Sequence, residues 1–115
     1  SLSKLKINQL IYSNKLKGKK IVGISAPSRS STLINYLGLD KNVIDYICEV
    51  KGSLKIGKNI PGTKIPVVLE DRLFIDQPEI AVIFSWHIAK QLIKILRKKG
   101  FRGKFLIPLP DPVLL

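Results

Sequence analysis

The sequence predicts a Rossmann-like α/β fold of three layers, in which a mostly parallel sheet has helices on both faces. Short β-branched runs alternate along the chain with segments whose apolar residues recur at helical spacing. The segment 79–84 contains the unbroken apolar run Ile80–Phe84, which is typical of a parallel strand buried on both faces. Right-handed crossovers between such strands place helices on both sides of the sheet.

The first half of the chain predicts two helices and two strands. Residues 3–17 form an amphipathic helix, because their apolar residues fall on one side of a 3.6-residue period: Leu5, Ile7, Leu10, Ile11 and Leu16. A strand at 20–24 leads through a loop of small residues into a helix over 31–37, which Gly38 ends. A second strand with a helix-like lead-in is predicted over 42–48, followed by a polar loop.

The second half predicts a turn, three strands and a long helix. Pro61-Gly62 suits the two central positions of a type II turn, and a strand at 67–69 follows. The buried strand 79–84 then leads into an amphipathic helix over 86–99. The last strand, 104–107, is terminated by prolines at 108, 110 and 112.

Length and composition predict one domain without a membrane span. The 115 residues are 45% hydrophobic, and the longest apolar run has five residues, too few to cross a bilayer. No secretory signal is visible, so a cytoplasmic location is expected. Cys48 lies among apolar neighbours and is predicted to be a core thiol. Because the chain begins with serine and contains no methionine, we expect a fragment of a longer protein.

The charge of the chain leaves an alternative function open. Twenty Lys and Arg against eight Asp and Glu give +12, which attracts nucleic acids and other polyanions. The basic residues are scattered, however, and no known nucleic-acid-binding pattern accompanies them. A polyanion-binding module is therefore the alternative to a small-molecule site.

The loop after the first predicted strand is the main candidate site. In a parallel sheet, ligands bind at the carboxyl ends of the strands, where the following helix presents free N–H groups. Hydroxyls, backbone amides and one guanidinium in this loop suit an anion, although the same serines could only cap the helix. The residues are Ser25, Ala26, Pro27, Ser28, Arg29, Ser30, Ser31 and Thr32.

A dinucleotide site is a further alternative with less in its favour. The G-x-G-x-x-G pattern requires three small residues, and its glycine positions here are Gly23, Ser25 and Ser28. Glu49, at the end of the second strand, could stand where an acidic residue binds a ribose, although a surface carboxylate is the usual alternative. One glycine out of three argues against a stand-alone NAD-binding domain.

Other chemically active residues do not form a self-sufficient active site. Ser85, Trp86 and His87 follow the buried strand at the same sheet edge, where they could contact a ligand or only pack. The chain has a single histidine, which excludes a histidine cluster for metal. The acidic residues between the third and fourth strands lie in a polar connection with no feature that would raise their pKa: Glu70, Asp71, Asp76 and Glu79.

Five blocks resemble, in order and spacing, the C-terminal domain of the SAM-dependent sugar C-methyltransferases. They are KIVGISAPSRSSTLINYLGLD, IDYICE, IPGTKIPV, VIFSWHIAKQLI and GKFLIPLPDP, within residues 18–112. Residues 1–17 would then be a leading helix of the same domain. The sequence departs from the family pattern where Ser25 replaces a glycine, Ser31 an asparagine, Glu49 an aspartate and His87 an asparagine.

The resemblance implies a three-part enzyme that methylates a ring carbon of a nucleotide-linked keto-deoxysugar. Its parts would be a zinc-binding module, a central S-adenosylmethionine domain with the general base, and this domain on the substrate side. No cofactor is then expected within this chain, and alone it should be inactive. Arg29 and the loop hydroxyls would face anionic or sugar groups, while Trp86 and His87 would line the cleft.

Overall fold

The structure, a computed structural model, describes residues 2–24, 30–49, 54, 56–108 and 111–115. Four helices run over α1 Leu2–Leu16, α2 Ser30–Leu37, α3 Asp71–Asp76 and α4 Ala89–Lys98, and a 3-10 turn over Trp86–Ile88 precedes the last. The strands of the described part are β1 Ile21–Ile24, β2 Ile47–Glu49, β3 Val67–Leu69, β4 Ile80–Ile83, β5 Lys104–Ile107 and β6 Val113–Leu114.

The six strands form one sheet in the order β3-β2-β1-β4-β5-β6. Strands β1 to β5 are parallel, and β6 pairs antiparallel with β5. The chain moves outward from β1 in one direction through β2 and β3, then returns to add β4 on the other side. The predicted α/β fold with a mostly parallel sheet is therefore confirmed, and the strand order reverses between β1 and β4.

Two apolar layers cover the sheet, one on each face. Ile21 and Val82 face the layer of α1 and α2, whereas Val22 and Ile83 face the layer of α3 and α4, because successive side chains of a strand point to opposite sides. Both clusters are fully buried, which explains why β1 and β4 read as continuous apolar runs. Among the described helices, none combines the length and apolarity needed to cross a membrane.

The predicted core thiol is confirmed. Cys48 lies on β2 in the layer of α3 and α4 and is buried. Burial raises the pKa of its thiol to about 12, so the thiol stays protonated at neutral pH.

Both predicted glycine-dependent turns are confirmed. Gly38 ends α2 with a φ of 70°, and the N–H of Leu39 donates to Ile34 O at 3.1 Å. Gly62 has a φ of 80°, and the N–H of Thr63 closes the turn on Ile60 O at 3.0 Å.

Three elements differ from the sequence prediction. The second strand contains only Ile47–Glu49, because residues 41–43 form a turn in which Ile44 N–H donates to Asp40 O. The polar connection before β4 contains the helix α3, which is too short to show a helical period and buries only Leu73 completely. The prolines after β5 end that strand as predicted, but the chain then returns as β6.

The amino edge of the sheet is held by a polar cluster around Tyr46. The Tyr46 hydroxyl donates to Asp76 Oδ2 at 2.9 Å, and Lys20 Nζ and Arg72 Nε lie 3.3 and 3.4 Å from the same oxygen. The hydrogen bond from Tyr46, together with these cations, holds the pKa of Asp76 below its ordinary value. The cluster joins α3 to the residues that precede β1 and β2.

We expect Asp76 to make the stability of the fold dependent on pH. Because its folded pKa lies below its unfolded value, near 3.9, its stabilisation is complete above that value and is lost as pH falls through the folded pKa. Asp76→Asn should cost about 1–2 kcal/mol at pH 7, measured by urea unfolding, and the difference from wild type should shrink in acid. Asp71→Asn, exposed on the same helix, is the control. A difference that is constant with pH would contradict this role.

Candidate functional site

The candidate site lies where the order of the strands reverses, at the carboxyl ends of β1 and β4. Ile24 and Ile83 are register partners at this edge, so the connections that follow them start side by side. One connection enters α2 at Ser30, and the other enters the 3-10 turn at Trp86. These connections lead to helices on opposite faces of the sheet, and the position between them, here called the crevice, is where ligands usually bind in such sheets.

The segment Ser85–His87 forms one wall of this crevice. Ser85 is buried, and its carbonyl accepts the N–H of Ile88 at 3.0 Å, which starts the 3-10 turn. Trp86 and His87 are exposed, with ring centroids 5.9 Å apart and planes at 81°, an edge-to-face pair. The structure therefore brings these two predicted site residues together and leaves their rings accessible.

An open groove of about 730 Å³ extends from these rings toward β5 and β6. Its far wall comes from the end of β5 and from the β6 hairpin, including Ile107, Asp111 and Val113. None of these three residues was predicted as a site residue, because the prolines at 108, 110 and 112 indicated only the end of a strand. Pro-Asp-Pro between two apolar runs, residues 105–107 and 113–115, is a turn signal that could have indicated the hairpin.

Glu49 lies on the other side of β1 from Ser85. It ends β2 and is only 3% exposed. Adjacent strands are spaced by about 4.8 Å, so Glu49 and Ser85 flank the end of β1 at a separation on the order of 10 Å. A carboxylate this deeply buried carries a large desolvation cost, which is a feature of structural or functional positions rather than of the surface.

The predicted anion loop is only partly described. Ser25, Ala26, Pro27, Ser28 and Arg29 lie outside the described residues. Ser30 and Ser31 begin α2, so their backbone opens the helix at this edge of the sheet. Thr32 is exposed in the first turn. The contact of this loop with an anion remains a prediction.

Gly23 serves core packing rather than a ligand. A β-carbon at this position would overlap Ile47 Cδ1 and lie 2.7 Å from Phe84 Cε2, both in the layer of α1 and α2. The side chains of Ile47 and Phe84 therefore fill the space beside Gly23. The one glycine that matched the dinucleotide pattern thus has a structural reason, which further weakens the NAD alternative.

The acidic residues before β4 take structural roles. Glu70 Oε1 pairs with Lys99 Nζ at 3.2 Å, and Asp76 belongs to the Tyr46 cluster at the opposite edge from the crevice. Among the described residues, no three His, Cys, Asp or Glu side chains are grouped to hold a metal ion.

Several of the cations that give the chain its charge also hold elements together. Lys15 pairs with Asp45 at 3.5 Å. Arg97 donates to Phe101 O at 3.0 Å and lies 4.6 Å from the Phe105 ring centroid. The polyanion alternative is not tested by these contacts, but they reduce the number of cations free to act as one basic surface.

Known proteins resemble this chain over nearly its whole length. The family model of the C-methyltransferase C-terminal domain matches residues 2–110. C-methyltransferase NovU of Streptomyces niveus is 29% identical over 109 residues, which cover 92% of this chain and 25% of that protein. The chain thus spans about a quarter of the length of this curated relative. Because the family match runs from α1 through every parallel strand, the chain belongs to the family of C-methyltransferase C-terminal domains.

Proposed function

We propose that this chain is the substrate-side domain of an S-adenosylmethionine-dependent C-methyltransferase, and that its substrate is a nucleotide-linked keto-deoxysugar. The observation that carries the proposal is the groove beside the accessible Trp86 and His87 rings, at the end of β4 and next to the reversal of strand order, in a chain of this family.

The chemistry of the crevice suits a sugar nucleotide. The exposed Trp86 ring offers a face for stacking a base or a sugar. Backbone N–H groups at the start of α2, with Arg29 in the preceding loop, would bind the diphosphate. His87 and the carboxylate of Asp111 in the groove add polar groups that can orient hydroxyls.

Methyl transfer would use groups outside this chain. S-adenosylmethionine would supply the methyl group to an enolate of the sugar, and we assign the general base and the binding of that cofactor to the other parts of the parent enzyme. This domain would bind and orient the sugar, which lowers the entropic part of the barrier.

The binding of a sugar nucleotide to the chain tests the proposal directly. Trp86 is the only tryptophan, so its fluorescence should change when thymidine diphosphate glucose is added, and free glucose at the same concentration should have little effect. Amide shifts in an NMR titration should be largest around residues 85–91. Trp86→Ala should weaken binding by about tenfold or more, since base stacking on an aromatic ring is worth about 1–3 kcal/mol.

Two single arginine variants, one in the predicted anion loop and one outside the site, test the binding of the diphosphate. Arg29→Ala should weaken binding of the sugar nucleotide, whereas Arg102→Ala, an exposed arginine before β5 at the amino edge, should leave it unchanged. Equal effects of the two variants would show nonspecific attraction to the basic chain. The absence of any shift near residues 85–91 at millimolar ligand would remove the crevice from substrate binding.

A further inference from the structure

The prediction that the apolar residues of α1 share one side is wrong, because the helix has apolar residues on two opposite sides. Ile7, Ile11 and Asn14 are buried against the domain. Leu5, Tyr12 and Leu16 are 57%, 43% and 89% exposed, and they lie roughly 160° around the helix from the buried side, at 100° per residue. We call these three residues, with the exposed Gln9 between them, the outer stripe. The apolar side chains of the outer stripe do not belong to the core clusters of the described residues.

The spacing of the outer stripe is that of a helix–helix seam. Leu5, Gln9, Tyr12 and Leu16 follow one another at intervals of four, three and four residues, the a and d positions of a heptad. The stripe is narrow and carries a glutamine at its middle, unlike the broad apolar face of a helix that lies in a membrane surface. The pattern therefore favours a helical partner over a bilayer.

A groove continues the outer stripe on one flank. It has a volume of about 470 Å³ and is lined by residues of α1, including Lys6 and Gln9, and by Pro112 from the segment before β6. A helix that packs on the stripe can insert one row of its side chains between α1 and Pro112, as in the packing of ridges into grooves.

The charge of α1 selects the kind of helix. The helix contains lysines but no Asp or Glu. Lys15 pairs with Asp45, whereas Lys6, which lines the groove, has no ion-pair partner among the described residues. A second copy of this chain would bring another carboxylate-free helix and a second charge of +12 to the contact, so charge complementarity favours an acidic partner.

We propose that the outer stripe of α1 docks an amphipathic helix whose apolar seam is flanked by Asp and Glu. This docking surface shares no lining residue with the groove of the candidate site, although Pro112 lies between Asp111 and Val113 of that groove, and the inference does not depend on the proposed substrate. Leu5, Tyr12 and Leu16 would supply the buried contact, Gln9 would set the register, and Lys6 would pair with a carboxylate on the flank.

Two synthetic helical peptides of the same length test the proposal. Both have Leu at the a and d positions, and they differ only in carrying Glu or Lys at the flanking e and g positions. Calorimetry with the 115-residue chain should detect binding of the Glu peptide and at least tenfold weaker binding of the Lys peptide.

Surface variants then locate the contact. Tyr12→Gln and Leu16→Gln should each weaken binding of the Glu peptide by about tenfold, as for central contacts of an interface. Ile75→Gln, at a position 75% exposed on α3, is the matched control and should have no effect. Lys6→Glu should weaken binding of the Glu peptide by about two- to fivefold and strengthen binding of the Lys peptide by about the same factor. Thermal melts of all variants confirm that the fold is unchanged.

Four results would overturn the proposal. The first is that the Glu peptide does not bind at millimolar concentration, and the second is that it binds the Tyr12 and Leu16 variants as well as wild type. Sedimentation equilibrium that detects a dimer dissolved by Leu16→Gln would assign the stripe to a second copy. Binding to anionic phosphatidylserine vesicles that is lost in the same variant would assign it to a membrane surface.

Discussion

Gly103→Ala is expected to destabilise the fold by about 3 kcal/mol. A β-carbon at Gly103 would overlap the carbonyl oxygen of Pro78 and the Phe101 ring, and it would lie 3.0 Å from Glu79 O. Two of these neighbours are backbone atoms that lead into β4, so they cannot move aside without shifting the central strand. Urea unfolding measures the effect as a lower midpoint with an unchanged m-value.

Gly18→Ala separates this steric effect from backbone strain. Gly18 has a φ of 79° at the end of α1, and a β-carbon there meets nothing within 4 Å. Its substitution should therefore cost only the left-handed penalty of about 1–2 kcal/mol. If Gly103→Ala destabilises the fold no more than Gly18→Ala does, the close contact of Gly103 with the backbone of Pro78 and Glu79 is contradicted.

Phe84→Ala is expected to cost about 3–5 kcal/mol, because Phe84 is fully buried immediately after β4 and its removal leaves a cavity. The cavity adjoins Gly23, whose β-carbon would lie 2.7 Å from the Phe84 ring. Gly23→Ala alone should cost about 1–3 kcal/mol by overpacking. In the double variant the methyl group enters the space left by Phe84, so the combined loss should be smaller than the sum by about 1 kcal/mol.

Phe105 provides the control for this coupling. It is equally buried but belongs to the layer on the opposite face of the sheet. Gly23→Ala and Phe105→Ala should therefore be additive in the free energy of unfolding, and strict additivity of Gly23→Ala with Phe84→Ala would contradict the assigned packing.

The prediction of the fold succeeded where local pattern and tertiary burial agree. The run Ile80–Phe84 is buried on both faces, and the strand 104–107 and the turn at Pro61-Gly62 occur as predicted. Such elements can be predicted from sequence because single residue types favour them: β-branched residues favour strands, proline has a fixed φ and glycine accepts a positive φ. Helix α3 and strand β6 were missed because six and two residues contain too little periodicity to detect.

The prediction of the site was less complete for a geometric reason. Trp86 and His87 were named because they directly follow a buried strand, and they line the groove. Ile107, Asp111 and Val113 lie about 20 or more residues further on and reach the same groove only through the β5–β6 hairpin. Gly23 was considered only as a glycine of a possible dinucleotide pattern, whereas the side chains that occupy its space, Ile47 and Phe84, come from distant parts of the chain.

The sequence by itself determined the order of the helices and strands apart from α3 and β6, the mostly parallel character of the sheet and the family, because these follow from hydrophobic period, turn residues and motifs in register. Only the tertiary structure decided which glycine packs against a neighbour, which wall closes the groove and which side of α1 is left without a partner. Those properties depend on distances between residues far apart in the chain, and local physical chemistry does not encode such distances.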